Sequence, residues 1–147
     1  MELVLLIGIP ATGKSTFCRE KFYRTHLRVN LDMLRTRHRE KLVFDSCLAG
    51  KTRVVVDNTN LSLAERARFI APTRVAGFRV VGYVFESKVA DAVQRNAARP
   101  TGDQIPEKAI PAASNRLAIP ALKEGFDELF FVRLAGDNQF IVEPWRL

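Results

Sequence analysis

Apolar residues in this chain fall in short, uninterrupted runs bounded by polar or glycine positions. Leu3 to Ile7 and Val54 to Val56 are unbroken, the pattern of parallel strands covered on both faces. Phe78 to Phe85 reads as a third such strand, and Leu27 to Asn30 and Leu129 to Val132 as two shorter ones. Between them the spacing predicts helices near 15–24, 33–49, 62–71, 87–99 and 106–118. Ser62 followed by Glu65 is a capping-box signature for the third helix, which Pro72 and Gly77 should weaken and end. The resulting βαβαβαβαβ rhythm calls for an α/β fold in three layers, a small parallel sheet with helices on both faces. Ligands of such sheets bind beyond the carboxyl ends of the strands, so functional residues should follow strands. No repeat or low-complexity linker interrupts the pattern. Arg99 to Pro106 is the best flexible loop, and residues 134–147 read as a short tail or edge strand anchored by Trp145.

Length sets the scale. At 147 residues the expectation is one compact unit over 1–147, with no room for an appended second enzyme. A hydrophobic fraction of 47% with 27% charged residues excludes disordered and fibrous classes. No apolar run approaches the ~20 residues of a bilayer span, and no basic stretch precedes the first one as in a secretory signal. Cys18 and Cys47 form neither a CxxC nor a zinc pattern and read as buried packing groups, which fits a reducing, cytoplasmic setting. His26 and His38 read as surface residues without partners. The formal charge of +7 favours anionic partners, nucleotides and nucleic acids first. Residues 19–41 concentrate that excess, with eight Lys and Arg against three acids. A solvated arginine-rich surface is the bland alternative.

The first strand runs straight into Gly8-Ile9-Pro10-Ala11-Thr12-Gly13-Lys14-Ser15, followed by Thr16 and a helix. This is GxxxxGK[ST] in its required strand-loop-helix setting, the phosphate-binding loop. Gly8 and Gly13 allow a tight loop, and the amides through Ala11, Thr12 and Gly13 turn inward on phosphate oxygens at a helix N-terminus. Lys14 reaches the β- and γ-phosphates, the Ser15 hydroxyl is placed for Mg²⁺, and Thr16 flanks it near the α-phosphate. The ligand is a nucleoside triphosphate, ATP or another, with Mg²⁺.

Other loops must choose the acceptor. After the second strand, Asp32 and Arg35 stand three apart where a helix begins, close enough to share one face. Asp32 suits both an N-cap and a general base for an attacking hydroxyl, and Arg35 suits bidentate capture of an acceptor phosphate. The third strand ends in Asp57-Asn58-Thr59-Asn60. Asp57 reads as an acid on a metal-bound water or an orienter of the acceptor site, and Asn58 and Asn60 as Asx-turn residues. Arg95 and Arg99 stand at i,i+4 where a helix leads into the flexible loop. Such a pair can close over the transferring phosphate, or can simply complement a helix C-terminus.

The ordered set GIPATGKST, VNLDMLR, VVVDNTN and RNAARPTGDQIP, with the later EGFDEL, resembles the P-loop 5′-hydroxyl polynucleotide kinases of nucleic-acid repair over residues 2 to about 133. The resemblance implies a stand-alone P-loop kinase domain with a lid over about 95–117. It also implies transfer of the ATP γ-phosphate to 5′-OH ends of RNA or DNA. Lys14 and Ser15 then match the phosphate and Mg²⁺ positions, Asp32 the general base, Arg35 the arginine on the acceptor phosphate, and Arg95 and Arg99 the lid arginines on ATP. One departure is that some members carry an acid directly before Thr-Asn, where this chain has Asn58 and places its acid at Asp57. Many relatives are fused to a phosphatase, a ligase or an HD-type domain. This chain would take such activities from separate partner proteins.

Two other readings remain in play. A small-molecule kinase of the same fold would phosphorylate a sugar, nucleoside, antibiotic or cofactor precursor. A nucleotide-dependent switch or binding module fits less well, because the chain lacks an NKxD guanine motif and carries both an acceptor base and a lid.

Overall fold

The computed structural model describes residues 1–145; the last two residues of the expected tail, 146 and 147, lie outside them. Strands β1 (Glu2–Ile7), β2 (Leu27–Val29), β3 (Val54–Val56), β4 (Arg79–Phe85), β5 (Glu128–Leu134) and β6 (Phe140–Pro144) form one sheet in the order β2-β3-β1-β4-β5-β6. The first five are parallel and β6 pairs antiparallel with β5, so the tail is an edge strand. The chain leaves β1 for the β2 edge, returns beside β1 with β3, and then builds outward from β4. The carboxyl end of β1 therefore lies at the point where strand order reverses, the place such sheets bind ligands.

The unbroken apolar runs are explained by burial on both sides. Along β1, Leu3, Leu5 and Ile7 pack with Val54, Val56, Phe44, Phe69 and Ile70, beneath α3 (Arg37–Ala49) and α4 (Leu63–Val75). Val4 and Leu6 face the other way, with Phe17, Cys18 and Phe22 of α1 (Lys14–Phe22). A third cluster joins Ile9 and Ala11 of the phosphate loop to Ala92 of α5 (Val89–Ala98) and to Ile110 and Ala113 of α6 (Ala109–Arg116). The expected lid segment thus begins as a packed support of the loop.

Several local expectations are corrected. The helix expected over 33–49 is two, α2 (Leu31–Leu34) and α3, because Arg35 takes a left-handed φ of 78° and Thr36 starts a new helix by accepting from the Arg39 amide at 3.1 Å. The third expected helix, α4, does not weaken at Pro72 but runs to Val75, held by the buried side chains of Phe69, Ile70 and Thr73, and stops before Gly77 at φ 79°. Tertiary burial here outweighs the amide that proline removes. The capping box is half formed. The Ser62 hydroxyl accepts from the Glu65 amide, but the Glu65 carboxylate turns to the Leu61 amide and to Arg116. The loop after α5 is stapled rather than loose. Asn96 exchanges two hydrogen bonds with the Ile105 backbone, at 2.8 and 3.0 Å, and the Gln104 amide donates to Ala97 and Arg99 carbonyls.

Candidate active site

The phosphate loop curls at the carboxyl end of β1. Its curvature comes from two left-handed residues, Ala11 at φ 64° and Gly13 at φ 93°. A Cβ on Gly13 would also meet the Phe140 ring at 3.0 Å, so edge strand β6 props the loop from behind. Gly8 donates to the Thr59 carbonyl at 3.0 Å and Ile9 to the Ser87 hydroxyl at 3.1 Å, which fixes the start of the loop. The first bonded amide of α1 is that of Phe17, to Gly13. Among the described residues the amides of Lys14, Ser15 and Thr16 ahead of it have no partner, as expected of helix N-terminal donors.

Lys14 lies buried across this loop. Its ammonium donates to the Gly8 and Ile9 carbonyls at 2.9 and 2.6 Å, with the Thr12 hydroxyl at 3.4 Å. Burial pushes its pKa from 10.5 down to about 7; Asp57 works against that shift and Arg99 adds to it. Those two charges thus act on Lys14 from residues far away in sequence.

A crevice of about 290 Å³ opens over the loop, lined by Gly13, Lys14, Ser15, Asp32, Arg37 and Arg99 among others. Three carboxylates border it and differ sharply. Asp57 is buried, and its Oδ2 accepts from Nε of Arg28 at 2.9 Å and lies in ion-pair contact with Nη2 at 2.9 Å. Glu65 is paired with Arg116. Asp32 is exposed, and its side chain has no ion pair or hydrogen bond among the described residues. It is not the N-cap of α2 either: Asn30 is, accepting from the Met33 amide at 2.9 Å. The cap role open to Asp32 in the sequence is thereby filled, and its carboxylate is left free toward the crevice.

The acceptor side is tied together by side chains that the sequence pattern either read as local turn residues, Asn58 and Asn60, or did not mark, Asn30, Glu40 and Arg37. Asn58 accepts from the Leu31 amide at 2.8 Å and donates to the buried Glu40 carboxylate at 2.8 Å, while Glu40 also accepts from Arg37 at 2.8 Å. Asn30 donates to the Asp57 carbonyl at 2.6 Å. Asn60 donates to the Leu6 carbonyl at 2.8 Å. Asn58 and Asn60 therefore bond distant segments instead of closing Asx turns. Arg37 reaches the crevice, whereas Arg35, exposed at the end of α2, is not among its lining. Only one arginine of the lid pair lines it. Arg99 does so, and Arg95 lies behind, its Nη1 donating to the Ala11 carbonyl at 3.4 Å. His26, expected to be unpartnered, bonds Glu2 at 2.7 Å and Thr25. Cys18 and Cys47 are buried, and burial raises both thiols, that of Cys18 to about 11, which favours the protonated form.

The residues present fit Mg²⁺. Among the described residues no three His, Cys, Asp or Glu side chains cluster into a full protein cage, but Mg²⁺ beside phosphates needs only one or two protein ligands and keeps its waters. Ser15 and Asp57 both line the crevice, and among the described residues Asp57 Oδ1 accepts no hydrogen bond while Oδ2 is held by Arg28.

This architecture is that of a P-loop kinase, a nucleotide-binding fold. A family model described as an AAA domain (AAA_33) matches residues 36–120, more than half of the chain, and the chain belongs to that family. Among curated proteins it is 29% identical, over 85% of its own length, to the bifunctional polynucleotide phosphatase/kinase of Schizosaccharomyces pombe. It is 30% identical, over 88%, to transcription factor bHLH140 of Arabidopsis thaliana. It spans 32% and 16% of those two proteins. Among solved structures it superposes on Kti12 of Chaetomium thermophilum in complex with ADP-AlF3, at a TM-score of 0.67 and 17% identity, covering 93% of this chain and 90% of that one. A gluconokinase from Sinorhizobium meliloti 1021 gives 0.60 and 17%, covering 91% and 83%. No helix among the described residues is long and apolar enough to cross a membrane.

Proposed function

We propose that the chain transfers the γ-phosphate of ATP to the 5′-hydroxyl of an RNA or DNA end. The observation that carries this reading is the free carboxylate of Asp32 in the same crevice as Lys14, Ser15 and Arg99. A motor or switch needs a positioned water, whereas a kinase needs a base for an incoming alcohol, and Asp32 is the bordering carboxylate not already committed to a cation. The similarity to the polynucleotide phosphatase/kinase supports a nucleic-acid acceptor over a sugar, as does the basic excess at residues 19–41. Separate phosphatase or ligase partners acting on the same ends accompany this reading.

In this mechanism Asp32 accepts the hydroxyl proton as the 5′-oxygen bonds to the γ-phosphorus, and the bond to the β,γ-bridging oxygen breaks to release ADP. Lys14 and Arg99 neutralise charge on the moving phosphoryl group, and Arg95 braces the Ala11 end of the loop. Arg37, with Nη1 held by Glu40, presents its remaining donors to the acceptor's phosphate, and Arg35 reinforces it from the rim. When bound, Mg²⁺ held through Ser15 and, by a water, Asp57 supplies further charge neutralisation.

The test is transfer of label from γ-labelled ATP with Mg²⁺ to 5′-OH oligonucleotides, beside a panel of sugars, nucleosides and antibiotics. Labelled oligonucleotide with wild type, and a rate about 10²–10⁴ lower with Asp32→Asn, is expected. Label on a small metabolite and not on oligonucleotides would establish the small-molecule alternative instead.

A further inference from the structure

A second hollow of about 360 Å³ lies between α1 and edge strand β2. Its lining includes Ser15, Arg19, Tyr23, His26 and Arg28. Ser15 also lines the catalytic crevice, so the two hollows meet at the start of α1. The Arg28–Asp57 ion pair forms the wall between them, with Asp57 bordering one and Arg28 the other. Arg28 turns Nε and Nη2 to Asp57 and lines this hollow beside Cys18.

Charge and shape point the same way. Between residues 15 and 28 the chain carries Arg19, Lys21, Arg24 and Arg28 against one acid, Glu20. Arg19, Lys21 and Arg24 form no ion pair among the described residues, although many other arginines of this protein do. Tyr23 is 76% exposed directly beyond the helix, a large aromatic that nothing covers. Unpaired arginines beside an open aromatic ring make the usual surface for single-stranded nucleic acid, phosphates on the cations and a base on the ring. From Ser15 to Tyr23 the helix rises about 12 Å, the length of about three nucleotides at duplex spacing.

We infer that this groove binds the acceptor strand downstream of its reacting end, Arg19 and Arg28 on the phosphodiester backbone and Tyr23 under a base. The inference rests on the polynucleotide reading and extends it to a binding track on α1 and β2, outside the crevice.

The experiment compares a single-stranded 5′-OH oligonucleotide of about 20 nucleotides with a nucleoside 3′-monophosphate as acceptor, in wild type, Arg19→Glu and Tyr23→Ala. Both positions are exposed, and thermal melts check that the variants fold. Arg19→Glu should raise KM for the oligonucleotide about tenfold and lower its salt slope by about one, and Tyr23→Ala should raise KM about fivefold. KM for the nucleoside 3′-monophosphate and both kcat values should stay at wild-type levels. Unchanged oligonucleotide KM, or equal losses with both acceptors, would overturn the groove. If wild type phosphorylates neither acceptor, the kinase reading falls, and fluorescence anisotropy of the labelled oligonucleotide then decides the groove alone. Weaker binding by the two variants supports it and unchanged binding overturns it. Competition by polyglutamate as strong as by the oligonucleotide would overturn the nucleic-acid assignment.

Discussion

The two halves of the crevice are built by different means. The donor half is one continuous segment, residues 8–16, whose shape comes from its own backbone and whose back is packed by apolar groups: Phe140 behind Gly13, and α5 and α6 behind Ile9 and Ala11. The acceptor half is assembled from three separate segments by side-chain hydrogen bonds, Asn30 to the Asp57 carbonyl, Asn58 to Leu31 and Glu40, and Glu40 to Arg37. A backbone-made site tolerates change in its surroundings as long as packing is kept. One made of side-chain bonds can be retuned, or broken, one residue at a time. On one fold, donor chemistry can thus stay fixed while acceptor choice varies.

The largest separation of the halves should come from Asp32→Asn. Removing a general base costs about 10²–10⁴ in rate. Because Asp32 holds no structural bond, stability and nucleotide binding should be unchanged. Transfer kinetics, with calorimetric titration of a non-hydrolysable ATP analogue, check both, and an equal loss of nucleotide affinity would place Asp32 with the donor half.

Arg66 anchors the chain just after the Asp57–Asn60 loop. It is fully buried, bidentate to Glu124 at 2.8 and 3.1 Å, and its Nη1 donates to the Asn60 and Leu61 carbonyls. Leu61 in turn accepts from Ala118 at the end of the lid. Arg66→Ala leaves the Glu124 carboxylate without its cation and the Asn60 carbonyl without its donor, and breaking such a buried pair costs about 3–5 kcal/mol. Urea unfolding should show that loss, with donor and acceptor affinities falling together in whatever folded protein remains.

Asn58→Ala acts on one half only. It removes the acceptor for the Leu31 amide and a donor to Glu40, each worth about 1 kcal/mol or more, so α2 and Arg37 lose their common tie. KM for the acceptor should rise about tenfold while the affinity for ATP holds, and steady-state kinetics with each substrate varied in turn read the split.

The same contrast explains what could be read from the amino-acid order. The donor half was legible because its chemistry and its fold share one local motif, and the strands around it because runs such as Val54 to Val56 admit only double-sided burial. Asp32 and Arg99 were legible as polar residues following elements that the pattern located. Arg37 and Glu40 were not, since nothing local distinguishes them from the other charges of 35–41, and their roles arise only when Asn58 arrives from β3. The break at Arg35 was missed for a related reason. Thr36 caps as well as Asn30 does, but a left-handed arginine leaves no mark in hydrophobic spacing. The full length of α4 depended on what Phe69 and Ile70 pack against, which proline propensity does not report.

The smallest effect is the most diagnostic of the donor half, because it reads the burial of Lys14. In the protein alone its pKa lies near 7, so the amine is about half charged at neutral pH. Triphosphate oxygens at the loop favour the ammonium and draw that pKa back toward the ordinary lysine value. The nucleotide-bound state therefore carries more protons than the free protein from about pH 7 upward, and affinity must fall as pH rises through that window. Below it both states are protonated and the dependence vanishes. For one such group the affinity should drop about threefold between pH 6.5 and 7.5. Lys14→Met supplies the reference, since subtracting its profile cancels titration of the nucleotide itself. Calorimetry in two buffers of different ionisation enthalpy should find uptake of about half a proton at pH 7 by wild type in excess of the variant. No excess uptake would mean that Lys14 is already fully charged on the Gly8 and Ile9 carbonyls, and that the loop is as ready for phosphate at pH 8 as at pH 6.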